Sequence, residues 1–247
     1  MFKKALKPLT CAIAMAACMA HAAPVSFTDA VGDDFGPGSY TYPTNTVYLD
    51  GAFDMTGFRI SDEGDSYKFE VDVNADLRDS WNTGAGFDVQ MFFVFIDQGQ
   101  GQNTKGLPGL NIEFAADSAW QNVVIMSPQS TRRVKAETRK ARKLKSSIVV
   151  PESTTGAGRT ITSVVPKDQL QGDPSSWRIQ VVGQSNEGFP EGSDLLTRRI
   201  NASAGDHRFG GGDDGKCDPH VIDILGDHAQ LKYECGSKVA TLSLMKP

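Results

Sequence analysis

The sequence predicts an all-β fold, a single antiparallel β-sandwich with short helical turns and long glycine-rich loops, on three observations. Short segments alternate apolar and polar residues along most of the chain, clusters of Gly, Pro, Asn and Asp punctuate them, and amphipathic stretches at helical spacing are few and about one turn long. No shift of composition marks a linker, so residues 23–247 read as one domain behind a leader at 1–22.

In the leader, Lys3, Lys4 and Lys7 precede a short apolar run at 9–20, and Ala20-His21-Ala22 offers small residues to a signal peptidase. Cleavage before Ala23 is expected, which predicts a periplasmic or secreted product. Met15-Ala16-Ala17-Cys18 is an imperfect lipoprotein box, the alternative in which Cys18 is acylated and retained. The formal charge of −5 becomes −8 when the three signal lysines leave. That acidity disfavours nucleic acid as a partner and suits cation binding.

Residues 52–61 alternate, Asp62-Glu63-Gly64-Asp65 is turn chemistry, and residues 67–73 alternate again, which predicts a hairpin. Residues 87–97 are almost continuously apolar, as a strand covered on both faces requires. A glycine-rich loop at 99–109 leads to strands expected at 110–114, 120–126, 160–165, 177–182 and 238–244. Helical turns are expected at 167–170 and 221–225. Trp120 and Trp177 open alternating strands with apolar same-face neighbours and are expected in the core. Residues 131–145 depart from the acidic background: eight Lys and Arg face only Glu137. Such a run attracts an anionic polymer or lipid headgroup, or it is a solvated hairpin or short helix that shields an edge strand; the second is the preferred reading.

Two distant loops, 32–45 and 209–219, crowd carboxylates onto glycine-rich backbone. Hard cations such as calcium ask for that combination of side-chain and carbonyl oxygens. Asp33 and Asp34 are the first candidates, with Asp29, Asp213, Asp214 and Asp218 behind them; if both loops meet at one end of the sandwich they share an ion. Solvated turn carboxylates explain the same pattern without a metal. Tyr40, Tyr42 and Trp81 lie in loop context and are the candidates for stacking on a sugar. Cys217 and Cys235, the cysteines left after the leader is removed, are expected to form a disulfide in an oxidising compartment. A metal site from these two with His220 and His228 is the rival, in an order unusual for zinc.

Catalytic signatures fail on inspection. Gly183-Gln184-Ser185-Asn186-Glu187 lacks the second glycine of a nucleophile elbow, and Gly210-x-Gly212-x-x-Gly215 runs into Cys217-Asp218-Pro219 instead of opening a helix.

The stretch Asp29 to Thr44, Gly51-Ala52-Phe53-Asp54-Met55, Trp81 followed by Gly86-Phe87-Asp88-Val89-Gln90, Leu107-Pro108-Gly109, Phe209 to Asp214, and Asp218-Pro219-His220-Val221-Ile222-Asp223 together resemble the C-terminal binding module of glucodextranase. That family is related to DOMON-like β-sandwich modules. The resemblance implies a non-catalytic sandwich, found attached to enzymes acting on α-glucans, that binds carbohydrate or a cell surface. Because DOMON-like sandwiches include haem modules, it also raises a second class, electron transfer through Met91 with His207, His220 or His228; packing is the preferred reading of Met91. A structural cell-envelope protein is the third class.

Overall fold

A computed structural model describes residues 23–213 and 217–247. The leader, with Cys18 and the cleavage site, lies outside the described residues, and so does Asp214.

The first sheet runs in the order β1 (Val25–Thr28), β2 (Met55–Asp62), β3 (Ser66–Val73), β9 (Thr160–Pro166) and β8 (Ser153–Ala157), antiparallel throughout. In β3 the pattern is strictly two-fold: Tyr67, Phe69, Val71 and Val73 are buried, while Ser66, Lys68, Glu70 and Asp72 are not. This is the half-solvated face that the alternation predicts. The hairpin of β2 and β3 forms where expected, through the turn at 62–65.

The second sheet runs β11 (Asp223–Ile224), β10 (Arg178–Ser185), β4 (Gln90–Asp97), β6 (Asn122–Met126) and β7 (Ile148–Val149). Every residue of β4 is buried, and its two faces serve two cores. Phe92, Val94 and Ile96 join Phe58, Phe69 and Trp177 between the sheets. Met91, Phe93 and Phe95 point to a second core with Trp120, Leu110 and Leu242. That outer core is roofed by loops, by the parallel pair β5 (Glu113–Phe114) and β12 (Thr241–Leu242), and by α1 (Thr131–Glu137). The middle strand is therefore apolar on both sides.

Two local expectations change, and one pair of alternatives is decided. Residues 221–225 are not a helical turn: Asp223 and Ile224 extend beside β10, with Gly183 opposite Asp223 and Val182 opposite Ile224. The edge of β10 offers ladder partners that an isolated helical turn lacks. Residues 238–244 contribute only Thr241–Leu242 as strand. Of the alternatives for 131–145, the helix forms. Ser130 caps α1 by accepting the Arg133 N–H at 3.3 Å, Glu137 is buried between Arg133 and Lys140, and Val134 and Ala141 reach the outer core. A 3-10 segment, Thr138–Ser147, follows, kinked at Arg142 where φ is 53°.

Candidate functional site

The two glycine-rich loops meet at one end of the sandwich. Thr41 and Gly210 exchange both backbone hydrogen bonds, at 3.0 and 2.9 Å, and the Gly36 N–H donates to the Ile222 carbonyl at 2.8 Å. Gly211, at φ 90°, lies against the Ser39 carbonyl with no room for a Cβ. Only glycine allows that backbone approach.

Their junction gathers acids. Asp29 accepts the Gly226 N–H at 2.8 Å through one oxygen, and its other oxygen is buried without a partner. Asp54, 1 % exposed, uses a single oxygen to accept both the Gly32 N–H and the Asn74 amide, each at 2.9 Å, leaving its Oδ1 buried and unpartnered. Asp33 likewise has an unpartnered buried Oδ1. Asp34 accepts the Tyr42 hydroxyl. Asp223, fully buried on β11, accepts the Met55 N–H at 2.5 Å and contacts His228 Nε2 at 2.8 Å; His228 Nε2 also lies 3.6 Å from Asp33.

Burial pushes the carboxyls of Asp29, Asp33 and Asp34 above their ordinary value, Asp29 to about 6, and repulsion from neighbouring acids adds to each. Burial also pushes Asp223 up, and alone it would lower His228. The bond to Asp223 and the Asp33 charge outweigh it and hold His228 at about 9, so at neutral pH His228 is an imidazolium. Five carboxyls thus face one imidazolium. Lys232 lines the shallow depression beside them, with Asp33, Phe35 and His228.

Of the other predicted acids, Asp213 and Asp218 lie apart from this cluster. Asp213 is exposed and accepts the Tyr233 hydroxyl at 2.8 Å, beside Cys235. Asp218 is fully buried with both oxygens unpartnered, 3.6 Å from His220 Nδ1. Cys217 and Cys235 are joined in a disulfide with Cα atoms 5.2 Å apart. The rival grouping with both histidines does not form, because His220 packs at Asp218 and His228 at Asp223.

The aromatic candidates divide. Tyr40 is 2 % exposed and its hydroxyl donates to the Pro219 carbonyl, so its ring offers no open face. Tyr42 is held by Phe53 and Phe209, with ring centroids at 5.8 and 4.8 Å, while its hydroxyl is spent on Asp34. Both are covered by residues of the C-terminal loop, Tyr40 by Pro219 and Tyr42 by Phe209. Trp81 remains 38 % exposed, with the Arg198 guanidinium 5.7 Å from its ring centre and His207 and Tyr48 against its edges. Ring contacts run from Trp81 through Tyr48, Phe53 and Tyr42 to Phe35, itself 41 % exposed. Met91 is fully buried in the outer core, and His207 lies with Trp81 and Tyr48.

Asp54, Asp223 and Phe35 were not singled out as site residues from sequence. Their signal was present: Asp54 and Asp223 each interrupt an apolar run, where an acid is costly without a partner.

A sandwich that presents carboxylates and half-open rings from loops at one end has the architecture of a binding module. Residues 25–241 match the family described as the C-terminal binding-module, SLH-like, of glucodextranase, and the chain belongs to that family. Comparison with curated proteins finds no match. Among the described residues no helix is long and apolar enough to cross a membrane.

Proposed function

We propose that the protein is an exported, non-catalytic module that binds carbohydrate, an α-glucan or an envelope polysaccharide, at the loop end of the sandwich. Trp81 carries the reading: it is a large ring left 38 % exposed, beside the exposed imidazole of His207. A flat apolar face bordered by polar groups suits a pyranose, whose faces are apolar and whose rim is hydroxyl. Asp88 supports the position from behind, accepting the Trp81 N–H at 3.0 Å. The test is retention on dextran, starch, pullulan and envelope polysaccharides. One of them should retard the protein, and Trp81→Ala should weaken that binding at least about tenfold, the order of one stacked ring. No retention on any glycan overturns the proposal.

We further infer that calcium pins the two loops together at Asp33, whose Oδ1 is buried without a protein partner and whose carboxylate lies within ligand range of Asp223 and His228, with the charges of Asp29 and Asp54 beside it. The support is that Asp54 is almost wholly buried with an orphaned oxygen in a cluster whose acids outnumber their one imidazolium. Asp213 and Asp218, gathered elsewhere, take no part. Calorimetric melting with calcium and with EDTA tests this, and coincident transitions remove the ion.

A further inference from the structure

The basic segment and one exposed phenylalanine converge on the same face. Arg132, Lys135, Arg139, Arg142, Lys143 and Lys145 are exposed, and none forms an ion pair among the described residues. Their segment is fastened to the 186–194 loop by Arg133 donating to the Gly188 carbonyl and Lys140 to the Asp194 carbonyl, both at 3.1 Å. The next residue, Phe189, is 92 % exposed, the most open large apolar side chain described. Acids of that loop do not neutralise the patch, because Glu187 pairs with Arg198, Glu191 with Arg208, and Asp194 with Arg199. The segment carries +7 in a chain of net charge −5, so the rest of the protein is strongly negative and the charge is polarised toward this face.

We propose that this face docks onto an anionic phospholipid bilayer, with the six cations over the headgroups and Phe189 inserted at the headgroup–acyl boundary. Cations alone would serve any polyanion. The phenylalanine beside them, 92 % exposed, favours a lipid surface, where an apolar layer lies beneath the charge. Neither contribution suffices alone, since stable attachment of a peripheral protein takes two signals. The face is formed by α1, the 3-10 segment and the 186–194 loop, and none of the residues assigned to glycan or calcium belongs to it.

The purified protein is sedimented with vesicles of phosphatidylcholine alone and of phosphatidylcholine with an equal part of phosphatidylglycerol. Binding is expected only to the anionic vesicles and should be released by salt. Lys143→Glu with Lys145→Glu should weaken it at least about thirtyfold, and Phe189→Ser about tenfold. Phe189→Trp, made together with Trp81→Phe to remove the half-exposed tryptophan, should bind and shift its emission to the blue on the vesicles; Trp120 and Trp177, both fully buried, supply a constant background. Failure to sediment with anionic vesicles overturns the proposal. So does an unshifted Phe189→Trp emission with full release by dextran sulfate, which would assign the cations to a soluble polyanion.

Discussion

Asp54→Asn separates two roles that one carboxylate could have at the loop junction. In the metal-free protein the charge is a liability: Asp54 is 1 % exposed and lies among Asp33, Asp34 and their neighbours. Each like-charge pair at such range costs roughly 2 kcal/mol at an effective dielectric near 20. Asparagine keeps an oxygen that can accept the Gly32 and Asn74 donors and removes the charge. In EDTA the variant should therefore be more stable than the wild type by about 1–2 kcal/mol. In calcium that advantage should shrink to about zero. An ion at 100 times its Kd stabilises the wild type by about 2.7 kcal/mol, which is about 5–10 °C in Tm for a domain of this size. A variant that binds tenfold more weakly forgoes about 1.4 kcal/mol of that. Scanning calorimetry of both proteins with calcium and with EDTA reads all four states. If Asp54→Asn is destabilising in EDTA, the carboxylate is holding the loop through its hydrogen bonds and the argument from repulsion fails.

His228→Ala strands the fully buried Asp223 without its cation and should cost about 3–5 kcal/mol in urea denaturation; a loss under 1 kcal/mol would show that the pair does not bridge loop and sheet. In EDTA, stability should fall from about pH 5 to pH 9. Asp29, Asp33 and Asp34 are raised, so the folded state holds their protons more tightly and loses stability above the unfolded value near 4, through about 6 for Asp29. His228 acts in the same direction, its contribution complete below 6.5 and lost as pH rises through about 9. A flat or rising profile contradicts these shifts. Gly211→Ala forces a Cβ against the Ser39 carbonyl at φ 90° and should cost more than about 1 kcal/mol, with faster hydrogen exchange at Thr41 and Gly210; unchanged exchange would show that the loops tolerate separation.

What could be read from the sequence was whatever depended on nearest neighbours. The β2–β3 hairpin is written in alternation around an acidic turn, and β4 in a continuous apolar run, so both were legible with their environments. Segment 221–225 was not, because five residues cannot distinguish a helical turn from a strand; the deciding factor is the edge of β10, which the local sequence does not contain. Tyr40 and Tyr42 show the same limit on the functional side. Their spacing says nothing of what covers them; Pro219 and Phe209, from the far end of the chain, decide that Tyr40 is closed off and Tyr42 half-buried.

The acids carry this argument furthest. Glycine-rich Asp33-Asp34 was conspicuous, yet the groups that define its electrostatics are His228, whose ring reaches Gly36 across 192 residues, and the buried Asp54 and Asp223. A carboxylate within an apolar strand sequence must find a donor, a cation or a metal, since burial without one costs several kcal/mol. Asp223 found His228 and the Met55 N–H; Asp54 found donors for one oxygen only. Residues that break an apolar pattern are thus guides to this junction alongside the conspicuous turn acids, because only a compensating partner makes their burial compatible with folding.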